Sequence, residues 1–346
     1  MGVWGLEVIV KHKISLINWE LKLPLLNYKN LLMTDWQSCN TSIIIITYES
    51  ERDIELCLRS IVAYTVIPYQ LCIFDNASCD GTRDIVNSLI CGNLFADNLC
   101  EEIIFFKSPN NIGYAPAINK AIDLCPDAEH FVFLNPDTIV CEGWLQRLLQ
   151  RFNKKTGIVG PISNAVAGFQ RADFWLNKIQ PSILYGPGVK LKYLTQQIAE
   201  QFGGQTAKVK FISGFCLMTS RLVLSKVGAL DDNFFLGIDD LEFCVRVQAA
   251  GYDLCVACDV FVYHRGSSSI SSFPRKEYQR LHKQMGAHFC ALLHERYGDT
   301  IPSSNELFGF EFFDLHEFDP QTPYPSMQWQ QRLVCLDGET LELIQE

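Results

Sequence analysis

Thr41-Ser-Ile-Ile-Ile-Ile-Thr-Tyr-Glu-Ser50 joins a run of β-branched residues to a polar cluster. Ile43 to Ile46 offers no polar face, so it suits a short strand buried on both sides, the pattern of a parallel sheet covered by helices. Downstream, Ile54, Leu58, Ile61 and Val62 recur at helical spacing, and Pro68 closes the connection before a second strand over Gln70 to Phe74. This is a βαβ unit. Asp75-Asn-Ala-Ser-Cys-Asp-Gly-Thr82 is rich in turn and capping residues, and Ile85, Val86 and Leu89 continue as a helical face. A strand fits Ile103 to Phe106. After the loop Asn110-Asn-Ile-Gly113 come a helix around Ala117 to Leu124 and a strand over Phe131 to Leu134, which runs into Asn135-Pro-Asp137.

Alternating strands and helices predict an α/β fold, a Rossmann-like and mostly parallel sheet flanked by helices. Ligands of such sheets collect at the carboxyl ends of the strands. The polar clusters Thr47–Glu49, Asp75–Ser78, Asn110–Gly113 and Asn135–Asp137 all fall at those ends, so they converge on one crevice. Between Ala165 and Lys210, Pro181, Pro187 and several glycines interrupt the pattern, as an insertion would. A strand-like stretch then covers Phe211 to Thr219, with helices over Arg221–Val227 and Asp239 to Ala250, the latter acidic in its first turn and ended by Gly251. A strand from Leu254 to Tyr263 delivers His264. Beyond Ser272 no motif or repeat stands out.

The 346 residues are 48% hydrophobic and 20% charged, enough apolar content for a substantial core. A net charge of −10 argues against a nucleic-acid partner, which needs clustered Lys and Arg. Fourteen scattered cysteines without a secretory signal read as free thiols in a reducing, cytoplasmic setting. Cys255-Val-Ala-Cys258 has C-x-x-C spacing, but no second pair or nearby His completes a zinc site. No apolar run is long enough to span a membrane. The first 33 residues, with Lys11, Lys13, Lys22 and Lys29, read as a docked or loosely ordered extension, or as an interfacial helix touching the inner face of a membrane.

By pattern alone the polar motifs keep two readings. Asn135-Pro-Asp137 serves equally as a strand-to-turn signal, Asp239, Asp240 and Glu242 favour a helix start, and loop Asn and Gly are usual turn formers. Their order adds information. Thr47-Tyr-Glu-Ser50, Asp75 to Thr82, Asn110-Asn-Ile-Gly-Tyr-Ala-Pro-Ala-Ile-Asn119, Asn135-Pro-Asp137, Asp239-Asp-Leu-Glu-Phe-Cys-Val-Arg246 with Gly251-Tyr252, and His264 occur in that sequence. Over residues 41 to 270 the chain thereby resembles a family 2 inverting glycosyltransferase of the GT-A fold, leaving an N-terminal extension (1–40) and a C-terminal one (271–346).

The resemblance implies sugar transfer from a UDP- or dTDP-linked nucleotide-sugar donor to an acceptor hydroxyl on a glycan, a lipid-linked glycan or a small molecule. It implies a Mn2+ or Mg2+ ion held by Asp137 and His264, because oxygen-ligated cations offset diphosphate charge. Asn135 stands where the family often has the first acid of D-x-D. Asp240 matches the general base and Asp239 its acidic neighbour, with the helix N-terminus helping to keep Asp240 ionised. Arg246 pairs with Glu242 one turn away. Asp75 would accept a hydrogen bond from a pyrimidine imide, with Thr47 and Glu49 on the neighbouring loop, and Asn76, Asn111, Gly113 and Asn119 would position the nucleotide. Arg265 and Ser267 to Ser269, which follow His264, keep two readings: contacts to the diphosphate or a solvated flexible loop. Gly214 would let the acceptor approach closely, and the 165–210 insertion would line the acceptor side. A nucleotidyltransferase would need a basic, Gly-rich triphosphate loop, which Thr47 to Ser50 does not offer. A non-catalytic carbohydrate-binding or scaffold protein retaining the fold is the remaining alternative.

Overall fold

The computed structural model describes residues 6–9, 40–96, 98–175, 189–266, 274–310, 334–336 and 339–341. Its main sheet has nine strands: β1 (Leu6–Ile9), β2 (Thr41–Thr47), β3 (Tyr69–Asp75), β4 (Cys100–Lys107), β5 (His130–Leu134), β7 (Thr156–Ile162), β9 (Thr206–Val209), β10 (Cys216–Ser220) and β11 (Asp253–Phe261). The short pieces β6 (Thr138–Ile139) and β12 (Tyr263–His264) pair with each other, and β8 (Val189–Lys190), β13 (Val334–Leu336) and β14 (Glu339–Leu341) form a third small sheet. The helices are α1 (Ile54–Tyr64), α2 (Thr82–Cys91), α3 (Tyr114–Asp123), α4 (Trp144–Leu149), α5 (Ala172–Trp175), α6 (Leu191–Phe202), α7 (Arg221–Val227), α8 (Asp239–Ala249), α9 (Arg275–Tyr297) and α10 (Ser304–Phe308).

The strand order is β1-β4-β3-β2-β5-β10-β7-β11-β9. Strands β4, β3, β2, β5, β7 and β11 share one direction, while β1, β10 and β9 oppose it, giving the expected mostly parallel sheet. Its two faces explain the isoleucine run. Ile43 and Ile45 join Leu58, Ile61 and Val86 of α1 and α2, whereas Ile44 and Ile46 join Ile118 and Ala121 of α3 on the other side. All four are buried, and burying each side chain fully contributes about 2 kcal/mol.

Two local expectations shift. The stretch before β10 is not strand: Ile212 to Phe215 forms a loop, and regular pairing begins at Cys216. Within the 165–210 segment, α6 buries Leu191, Leu194, Ile198 and Phe202 and packs against β11, so this described part supports the sheet and does not line the cleft. Cys255 and Cys258 project to opposite faces of β11, into separate core clusters, because three residues along a strand reverse the side; they are free thiols and not a ligand pair. Most of residues 1–40, and Ser267 to Ser269, lie outside the described residues. Among the described helices none is long and apolar enough to cross a membrane.

The long helix α9 was invisible as a motif. It inserts Met285, Phe289 and Leu293 into the same core cluster as α3 and α8, joined by Leu307 and Phe308 of α10.

Candidate active site

The loops after β2, β3, β4 and β5 do converge, Tyr48 representing the first of them. Asn76, Asn111, Asn135, Asp137, Gly214, Asp239, Asp240 and His264 all line one cleft of about 280 Å3. Thr47, Glu49, Asp75, Gly113 and Asn119 are absent from its wall and hold the loops from behind.

Asp75 is fully buried and turned inward. One carboxylate oxygen accepts from the Thr47 hydroxyl at 3.1 Å, and the other accepts from the Ser78 amide and the Arg83 guanidinium. Arg83 also donates to the Ser108 carbonyl at 2.9 Å, tying β4's loop to β3's. Glu49, at φ 50°, accepts from the Cys79 amide at 2.7 Å and binds the same turn. With these partners the Asp75 side chain joins three loops.

Asn76 performs the equivalent task one residue later. Its amide nitrogen donates to Asn111 Oδ1 and the Gly113 carbonyl, and its oxygen accepts from the Ile112 amide at 2.9 Å. Gly113 sits at φ 90°, and a Cβ there would lie 2.8 Å from the Phe235 ring and 2.9 Å from its Cα, so only glycine permits this approach. Asn119 is the clearest relocation. Its side chain is occupied by both backbone groups of Leu230 and by Asp232, so it anchors the loop leading to α8 and does not reach the nucleotide side.

Asp137 and His264 are brought together by pairing that sequence distance conceals. The β6–β12 register sets His264 opposite Thr138, and the Arg265 amide donates to the Asp137 carbonyl at 2.9 Å. His264 stacks on Phe215 with ring centroids 4.9 Å apart. Its Nδ1 lies 2.7 Å from the Ala165 carbonyl, which can only accept, so Nδ1 carries the hydrogen. Nε2 is buried without a hydrogen bond and lies 3.3 Å from Asp137 Oδ1. A ring lone pair beside a carboxylate, with the ring fixed by a backbone carbonyl, is the donor arrangement of a cation site. Burial opposes the imidazolium, yet Asp137, the Ala165 carbonyl and Asp53 raise the imidazole above its usual value, so a proton competes with any metal ion for Nε2. No group of three His, Cys, Asp or Glu suited to a metal occurs among the described residues. The pair fits an ion that completes its shell with water and ligand oxygens, as Mg2+ commonly does. Arg265 directs its guanidinium to Asp53 at 2.8 Å, away from the expected diphosphate contact.

Asp240 stands at the start of α8. Its Oδ2 accepts from the Gly214 amide at 2.8 Å and its Oδ1 from the Leu241 amide at 2.9 Å. Gly214 thus acts through its backbone: a Cβ there would sit 3.4 Å from Asp240 Cβ, a tight approach, but the amide donor is what fixes the carboxylate. Burial raises the Asp240 pKa despite the hydrogen bonds from Gly214 and Leu241, so the helix terminus does not keep it fully acidic. Asp239 is buried deeper, and burial followed by the Asp240 charge raises it well above the usual value. Both carboxyls of this adjacent pair are thus held above the usual aspartate range, which raises their basicity. Arg246 pairs with both Glu242 oxygens as expected, and also caps the carbonyls of Val227, Gly228 and Ala229.

Several lining residues escaped the sequence reading. Tyr114 followed Gly113 within a quoted motif; its buried hydroxyl has no hydrogen-bond partner. Phe235 to Gly237 form an apolar run belonging to neither helix nor strand. Tyr278 and His282 come from α9, and their four-residue spacing in register with Met285 and Phe289 was the available signal.

Residues 42–228, more than half of the chain, match Glycosyl transferase family 2. The N-acetylglucosaminyl-diphospho-decaprenol L-rhamnosyltransferase of Mycobacterium tuberculosis is 22% identical over 70% of this chain and 81% of its own length. The O-antigen chain rhamnosyltransferase WbaN of Salmonella anatum is 26% identical over 64% of each chain. The mannosyltransferase PcManGT of Pyrobaculum calidifontis, solved with GDP-Man and Mn2+, aligns with a TM-score of 0.50 at 18% identity, covering 76% of this chain and 65% of its own.

Proposed function

Because the chain belongs to glycosyl transferase family 2 and has the GT-A fold, we propose that it is an inverting, metal-dependent hexosyl- or rhamnosyltransferase of polysaccharide or glycan assembly. The supporting observation is one cleft that holds both the Asp137–His264 pair and the hydrogen-bonded Asp240 carboxylate. The donor is a nucleotide-diphosphate sugar, UDP- or dTDP-linked; the two rhamnosyltransferase relatives favour a dTDP-linked one. The decaprenol diphosphate in the Mycobacterium relative's name favours a lipid-linked acceptor, reached from the cytoplasmic face of a membrane.

In this reading Asp240 accepts the proton of the acceptor hydroxyl as its oxygen bonds to the anomeric carbon, and the bond from that carbon to the diphosphate breaks on the opposite face. Raised basicity suits the task, since a base with pKa nearer to neutrality takes the proton more readily. Gly214 and Leu241 hold the carboxylate in place, with Asp239 buried beside it. Asp137 and His264 would hold Mn2+ or Mg2+, which supplies charge to stabilise the leaving diphosphate. Asn76, Asn111 and Asn135 bound the nucleotide side, supported from behind by Asp75, Thr47, Glu49, Gly113 and Asn119.

The test is thermal stabilisation by UDP, dTDP and GDP with and without Mn2+, followed by sugar release from the donor whose nucleotide binds. A metal-dependent shift with turnover is expected. Nucleotide-independent behaviour throughout would overturn the enzymatic reading and favour a carbohydrate-binding protein.

A further inference from the structure

We propose that Tyr278 and His282 of α9 form the acceptor subsite, and that this subsite receives an uncharged sugar ring. The inference rests on the donor and base assignments above. The helix is clamped to the segment that feeds Asp239 and Asp240. His288 Nε2 lies 2.8 Å from Asp231, the His288 ring lies 5.2 Å from that of Phe234, and the Leu236 amide is 3.0 Å from Met285 Sδ. One to two turns before Met285, on the same face, Tyr278 and His282 emerge into the cleft with ring centroids 5.8 Å apart. The donor loops come from the parallel strands, whereas this wall adjoins Phe235 to Gly237 and the base.

The chemistry of the wall selects the ligand. Tyr278 and Phe235 present rings of the kind on which the C–H face of a pyranose packs. Burial lowers the His282 imidazole below its usual value, which favours the neutral ring as a hydrogen-bonding group for hydroxyls. Among the described residues of the cleft wall there is no Lys or Arg, while Asp137, Asp239 and Asp240 contribute carboxylates. An acceptor phosphate placed beside Asp240 would meet no balancing cation, whereas the donor diphosphate is assigned to the ion that Asp137 and His264 would hold; any charged carrier of the acceptor sugar stays at the cleft mouth.

The experiment uses the full chain with Tyr278→Ala, Tyr278→Phe and His282→Ala, each checked for native Tm, and a panel of neutral p-nitrophenyl glycosides with their 6-phosphates. Tyr278→Ala and His282→Ala should raise the acceptor KM tenfold or more, with donor hydrolysis in water and the nucleotide-induced Tm shift unchanged. Tyr278→Phe should restore most of the affinity. An unchanged acceptor KM, or equal loss of nucleotide binding, overturns the assignment. A 6-phosphate that binds as well as its neutral parent overturns the selection against charge. If the wild type turns over no donor, the enzymatic reading fails separately, and glycoside binding measured by saturation-transfer NMR still decides: loss in Tyr278→Ala supports the subsite. Undiminished binding in that variant, or no glycoside bound by the wild type, overturns it.

Discussion

The loops after β2, β3 and β4 and the segment around α8 reach the same cleft but are held in opposite ways. In the first region the buried polar groups are matched. Asp75 meets Thr47, Ser78 and Arg83, and Asn76 meets Asn111, Ile112 and Gly113. In the second, two adjacent carboxylates are buried with raised pKa values. Satisfied networks make a rigid frame; charge left poorly solvated is reactive and costs stability. The difference fits the proposed division, with preorganisation in one region and chemistry in the other.

The sharpest separation of the two is Asp240→Asn. It keeps the shape of the side chain and removes its basicity, so transfer should fall about 10²- to 10⁴-fold while the nucleotide-dependent Tm shift persists; full transfer activity would remove Asp240 from the mechanism. Next comes Arg83→Met, which leaves the enclosed Asp75 carboxylate without its cation. Removing one partner of a buried pair costs about 3–5 kcal/mol, and because Arg83 is itself 34% exposed the expected loss is about 2 kcal/mol in urea unfolding. The smallest effect has the opposite sign. Asp239 has a raised folded-state pKa, so its contribution favours folding below the ordinary aspartate value and is lost as pH rises through the raised one. Asp239→Asn should therefore show a higher Tm than wild type at pH 7 to 8, with the gap closing toward pH 4. A destabilised Asp239→Asn at neutral pH, or a neutral Arg83→Met, would collapse the contrast between the regions.

Much of the frame was legible because parallel strands advertise themselves locally. Ile43 to Ile46 can be buried only between two helical layers, and each polar cluster follows its strand directly. Asp75 and Asn119 show where that legibility ends. Both occupy motif positions, yet a side chain's direction depends on the partners that fold around it: Arg83 and Thr47 enclose Asp75, and Leu230 with Asp232 claims Asn119 from more than a hundred residues away. Gly214 was read as making room, whereas its amide, invisible in any pattern of side chains, is what binds Asp240.

The sequence by itself determined the alternation of strands and helices, the sheet they build, the order of the polar loops and the family to which they correspond, since these follow from local periodicity and chain order. Tertiary structure alone decided that β6 and β12 pair to set His264 beside Asp137, that Asp239 and Asp240 share a buried environment, and that α9 carries Tyr278 and His282 into the cleft. Those outcomes depend on long-range packing and desolvation, which arise only when segments distant in the chain exclude water together.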